Sequence, residues 1–120
     1  MKYEKIYIKL ETYKTLEDNW DGYGGKKPSN ATINNVFLFL ELLRNNKIIE
    51  PKIMLSGNNE IGIYWKDKNV YYLEINFENN GLYSYFYEIG KQLFGKEDLT
   101  INFIDKELKD IFNNLNLIKI

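Results

Sequence analysis

Any chemistry in this sequence has to come from carboxylates, tyrosines and one glycine-rich loop, because the 120-residue chain contains no His and no Cys. Those two absences remove the common zinc ligands, the thiol nucleophile and the imidazole base together. Asp67, Glu74, Glu78, Glu88 and Asp105 could supply an acid and a base. General acid-base work needs two groups whose environments separate their pKa values, and no spacing here selects such a pair. Ser29, Ser56 and Ser84 fall at a predicted helix cap, a turn and a strand, without the sharp strand-to-helix turn that exposes a nucleophilic serine. The expectation is a non-enzymatic protein without metal or cofactor.

The most distinctive string is Asn19-Trp20-Asp21-Gly22-Tyr23-Gly24-Gly25, with Pro28-Ser29 behind it. Asp21 is suited to accept backbone N–H bonds in the turn, Gly22 and Gly24 to take left-handed conformations, and Trp20 to pack over the helix junction. The same loop could present Trp20 and Tyr23 to a partner as aromatic anchors. Two ligand readings fail on spacing. Glu17, Asn19, Asp21 and Gly22 match the early positions of an EF-hand-like loop, but Pro28 stands where a bidentate Glu would close the cage. The run from Gly22 to Lys27 follows no strand and lacks the Gly-Lys-Ser/Thr ending of a phosphate-binding loop. The string resembles an uncharacterised group of small bacterial and phage proteins marked by Asn-Trp-Asp-Gly-x-Gly-Ala, a short gap and Pro-x-Ser or Pro-Ser, then a helix and a sheet. This chain has Gly25 where that pattern usually has Ala. The resemblance implies a shared architecture and carries no activity with it.

The elements that hold these residues follow from hydrophobic spacing. Tyr3, Ile6, Tyr7, Leu10, Tyr13 and Leu16 recur at three- and four-residue steps and predict a helix from about Lys2 to Glu17. Ser29 is a suitable N-cap, and Ile33, Val36, Phe37, Leu40 and Leu43 carry a second helix from Asn30 to Asn45. Leu38, Phe39 and Leu42 widen its apolar face toward burial on two sides. Beyond Pro51 the period becomes two, and residues 52–55, 60–66, 69–77 and 82–89 read as strands separated by hairpin-length turns. Residues 90–98 read as a connector, and Ile104, Leu108, Ile111 and Leu115 mark a last amphipathic helix with Asp105 near its start. The expected fold is a single α+β domain spanning residues 1–120: two N-terminal helices, a four-stranded antiparallel β-meander and a C-terminal helix, all helices on one sheet face.

That arrangement leaves the second sheet face for function. Alternation places Ile61, Ile63 and Trp65, with Tyr71, Leu73, Ile75 and Phe77, on the covered side, and Tyr64, Lys66, Tyr72, Glu74 and Asn76 opposite. The fourth strand carries aromatics in both of its sets. Placing Ser84 and Glu88 outward avoids burying an unpaired carboxylate, and it puts Phe86 outward as well. Tyr64, Tyr72 and Phe86 beside Glu74, Asn76 and Ser84 mix flat rings with hydrogen-bonding groups, which suits contact with another protein. Cover by the final helix, or by a second copy of the chain in a homodimer, is the alternative.

Charge narrows the partner. Sixteen basic and 17 acidic residues leave a net charge of -1, and Arg44 is the only arginine. Such a chain has no field to gather phosphates and lacks the side chain that reads guanine edges, which disfavours double-stranded nucleic acid. Stacking of a single strand on the aromatic face lacks a basic surround. A charged start and no apolar run near ~18 residues predict neither a signal peptide nor a membrane span, hence a cytoplasmic protein. Asn, Lys and Ile make up 46 of the 120 residues beside a single Ala, the bias of AT-rich coding sequence. Size, composition and the lack of catalytic groups make the chain similar in class to stoichiometric inhibitors from phages and mobile elements, especially anti-CRISPR proteins that block a host defence nuclease. An antitoxin or immunity protein, or a small carboxylate-dependent enzyme, are the other readings.

Overall fold

The first apolar stripe folds as helix α1 (Tyr3–Tyr13) in a computed structural model that describes residues 2–68 and 70–119. Its buried positions are Tyr3, Ile6, Leu10 and Tyr13. The helix stops at Tyr13 rather than Glu17. The hydroxyls of Thr12 and Thr15 turn back onto the carbonyls of Lys9 and Thr12, at 2.6 and 2.7 Å, offering the backbone an alternative to further helix. Ser29 caps α2 (Asn30–Asn45), its Oγ accepting from the Thr32 amide at 3.1 Å. Ile33, Val36, Phe39, Leu40 and Leu43 are buried on this helix. Phe37 packs against Tyr7 of α1, ring centroids 5.9 Å apart, so α2 is covered by both sheet and helix and leaves Leu38 outside.

Five strands follow: β1 (Lys52–Leu55), β2 (Ile61–Asp67), β3 (Tyr71–Phe77), β4 (Leu82–Ile89) and β5 (Gln92–Thr100). They form one antiparallel sheet in the order β1-β2-β3-β4-β5, and α3 (Lys106–Asn114) comes last. The fold is α+β, with three helices and a five-stranded antiparallel sheet. Asn69, expected to open the third strand, lies outside the described residues.

The fifth strand corrects the expectation of four strands and a connector over residues 90–98. Gly90, at a φ of +59°, turns the chain through a two-residue loop, and Gln92–Thr100 pairs along β4. The segment resists detection because Lys96, Glu97 and Asp98 stand in a row and Gly95 interrupts it, both marks of a loop. An edge strand has one strand neighbour and tolerates this composition. Gly95 is required by contact: a Cβ there would stand 2.7 Å from the Tyr85 carbonyl oxygen and 3.4 Å from Phe86 Cβ. Asp98, at a φ of +59°, accompanies a bulge where the register with β4 shifts.

One sheet face meets all three helices. Ile53, Ile61, Ile63, Trp65, Leu73, Ile75, Phe77, Tyr83, Tyr85 and Tyr87 are buried there with the helical positions. Trp65 meets Phe112 of α3 edge-to-face at 5.0 Å and donates its indole N–H to the Ile49 carbonyl at 2.8 Å. Asp105 caps α3 by accepting from the amides of Glu107 and Leu108. Leu108 and Phe112 are the buried residues of α3; Phe112 lies outside the stripe read from the sequence. Lys96 reaches from β5 to Asp105 at 3.4 Å and Glu107 at 3.1 Å. Among the described residues no helix is long and apolar enough to cross a membrane.

Candidate functional site

The outer sheet face is built by strand parity. In one row Tyr64 stands opposite Glu74, and Glu74 opposite Phe86; in the next, Lys66 stands opposite Tyr72, and Tyr72 opposite Glu88. Diagonal neighbours on a sheet lie within reach of aromatic rings. Tyr72 uses this reach twice, stacking on Tyr64 with centroids 5.9 Å apart and leaning on Phe86 at 5.6 Å. Lys66 Nζ stands 6.0 Å from the centre of the Tyr64 ring. The assignment of Ser84, Phe86 and Glu88 to this face agrees with the structure, since Tyr83, Tyr85 and Tyr87 are the buried set of β4.

Glu74 is held rather than free. The Tyr72 hydroxyl donates to Glu74 Oε1 at 2.6 Å, and the Asn76 side-chain amide donates to Oε2. Burial and the acceptor carboxylate push the Tyr72 phenol above the ordinary tyrosine range, so it remains a donor at physiological pH. Tyr64, Tyr72, Glu74 and Phe86 thus form one contiguous, pre-ordered cluster. Among the described residues no helix seals it, and all four side chains remain half-buried. Around it lie Met54, Gly62 and Leu82, which parity alone could have added; a Cβ on Gly62 would meet Met54 Cε at 2.7 Å. Leu93 of β5 completes the face and escaped notice with its strand.

A basic margin borders the cluster. A cleft of about 380 Å³ between α1 and β1 is lined by Lys2, Lys5, Lys9 and Lys52, with Glu50 and with Tyr64 itself. The spacing of Lys2, Lys5 and Lys9 along one side of α1 is its sequence signal.

The loop of residues 19–25 is a separate feature at the β1–β2 turn, where the Lys26 amide donates to the Gly57 carbonyl at 3.0 Å. Asn19, Gly22 and Gly24 take φ values of +65°, +77° and +80°. Trp20 is half-buried and donates its indole N–H to the Lys26 carbonyl at 3.1 Å, whereas Tyr23 is 93% exposed. Asp21 Oδ1 accepts from the amides of Tyr23 and Gly25 at 2.9 and 2.8 Å, and these bonds hold its carboxyl below the ordinary aspartate value. A carboxyl held low stabilises the fold above its unfolded pKa and loses that contribution as pH falls through the folded one. Asp21→Asn keeps an accepting oxygen but removes the charge. The stability difference between wild type and this variant, measured by urea unfolding, shrinks as the pH is lowered from about 5 to about 2. A difference that stays constant over that range would remove the charge from the loop's account.

Among the described residues no three acidic side chains gather in a metal-binding group. Asp105 is committed to its cap and to Lys96. The fold and its exposed face describe the class as an α+β protein with one helix-covered and one open sheet surface. Comparison with protein-family models, curated proteins and solved structures found no match.

Proposed function

We propose that this chain is a non-enzymatic protein-binding module that seats one macromolecular partner on its open sheet face. The observation that supports this reading is the Tyr64–Tyr72–Phe86 cluster, uncovered by any helix and already ordered by Glu74 and Asn76. Rings fixed before contact lose little side-chain entropy on binding, which is why Tyr-rich patches make effective contact surfaces. The lysine-lined cleft beside Tyr64 gives the partner a chemistry: an apolar patch bordered by carboxylates. Within this reading a stoichiometric inhibitor from a phage or mobile element, anti-CRISPR-like and directed at a host defence nuclease, comes first, and an antitoxin or immunity protein second. Both roles rest on size and composition. The carboxylate enzyme ranks below them, since Glu74 and Asp105 are engaged by partners in their own chain.

The test is capture from the native host followed by quantitative binding. One partner at near one-to-one stoichiometry is expected, and Tyr72→Ala or Phe86→Ala should each weaken it at least about tenfold with unchanged circular dichroism. Undiminished binding by both variants, or consistent failure to recover a partner, overturns the reading. The α1 lysines beside Tyr64 supply part of the basic surround that the sequence was expected to lack, so tight binding of a fluorescent single-stranded oligonucleotide would replace the protein partner with that one.

A further inference from the structure

The two edges of the sheet are not alike. β1 lies beside α1, and the turn after it is bonded by Lys26. β5 has β4 on one side and solvent on the other: Leu93 is 68% and Phe94 50% exposed. The two-residue loop makes Ile89 and Gln92 a hydrogen-bonded pair, so Phe94 with Tyr87 and Lys96 with Tyr85 follow as the next such pairs. Leu93 and Gly95 between them turn their N–H and C=O groups away from the sheet. Natural edges are blunted by proline, inward charges or bulges. Here the bulge lies beyond Lys96, and the inward charge of Lys96 is neutralised by Asp105 and Glu107. The five residues from Gln92 to Lys96 are left as an open template.

We propose that two copies of this chain pair antiparallel through their β5 edges, about a twofold axis at Phe94, to form one continuous ten-stranded sheet. Three features select the register. Leu93 of each copy faces Gly95 of the other, so the residues whose amides point outward meet as hydrogen-bonded pairs. Gly95 has no side chain there to oppose the incoming leucine. Just beyond the paired residues, Lys91 in the hairpin turn of each copy comes beside Glu97 at the bulge of the other, an opposite-charge contact that the twofold repeats. On the inner side, a cleft of about 530 Å³ lined by Tyr85, Tyr87, Phe94, Glu107, Asp110 and Ile111 lies open at this edge, where Phe94 of the second copy would enter. Slipping the register by one residue, which moves the axis half a residue to a point between two residues, would set outward amides against inward ones. An axis at Leu93 or Gly95 keeps the amides matched but no longer brings Lys91 against Glu97. This association does not depend on the partner proposed for the open face. It would place the two aromatic clusters on one side of a doubled sheet.

Light scattering over a concentration series should show the mass rise from 14.3 kDa toward twice that value. Leu93→Pro removes an N–H that β4 does not use, and it should hold the mass at the single-chain value. Lys91→Glu and Glu97→Lys should each weaken self-association about tenfold, whereas an equimolar mixture of the two, whose charges are again opposite across the axis, should recover it. Circular dichroism of each variant confirms that the monomer is intact. A single-chain mass at every concentration overturns the proposal. So does a dimer that survives Leu93→Pro, or charge-reversed variants that associate as wild type does and gain nothing on mixing.

Discussion

Phe39→Ala should lower the unfolding free energy by about 3–5 kcal/mol. Phe39 is fully buried at the joint between α2 and two strands, its ring 5.3 Å from that of Phe77 and 4.6 Å from that of Tyr83. Alanine loses the transfer free energy of the ring and also leaves a space. β3 and β4 are locked in register with both neighbours, so the walls of that space cannot close. A domain this size has about 5–15 kcal/mol of stability, so the loss is a large fraction of the total. Leu38, the preceding residue on α2, is 60% exposed and is the control: Leu38→Ala should change stability by no more than about 0.5 kcal/mol. Urea unfolding of both variants checks this, with the midpoint of Phe39→Ala falling at a similar slope. Equal midpoints for the two would mean that Phe39 is not the joint of the core.

Tyr83→Phe should cost about 2 kcal/mol through one oxygen atom. The Tyr83 hydroxyl donates to the Phe103 carbonyl at 3.2 Å and accepts from the Asp105 amide at 3.0 Å, tying β4 to the start of α3. Phenylalanine keeps the ring and its contacts but leaves the buried Asp105 N–H without a partner, and an unpaired buried donor keeps its full desolvation penalty. Burial pushes the Tyr83 phenol up to about 12. Since the folded pKa is raised, the contribution of the neutral hydroxyl is complete below the unfolded value near 10 and is lost as pH rises toward 12. Urea unfolding at neutral pH measures the cost, and the same comparison at high pH should show the two proteins converging. An undiminished midpoint for Tyr83→Phe would mean that the amide finds another acceptor.

How much of this was legible in the chain depends on how local each signal is. The cap at Ser29, the left-handed glycines 22 and 24, and the amides accepted by Asp21 are decided within a few residues, and the structure agrees with each. Outward Phe86 followed from the cost of burying Glu88, a pattern read along a single strand. β5 did not follow, because an edge strand carries half of the apolar alternation and its glycine answers to Tyr85 and Phe86 on another strand. Phe112 was missed for a related reason: its burial depends on Trp65, which is distant in sequence and adjacent only in the fold.

The candidate site divides along the same line. Sequence alone determined which residue types are present: no His, no Cys, near-neutral charge, and aromatics in alternation on the middle strands. Periodicity of two is a property of extended backbone, so the apolar pattern of the middle strands put Tyr64, Tyr72 and Glu74 on one face. Phe86 joined them only through the cost of burying Glu88 and not through periodicity, since both sets of its strand carry aromatics. Only the tertiary structure decided the pairing register that stacks Tyr72 on Tyr64 and leans it on Phe86, the placement of the α1 lysines beside that face, and the strand that leaves one edge open. Side-chain parity is set one residue at a time by backbone geometry, whereas register and neighbourhood are set by burial between segments far apart in the chain.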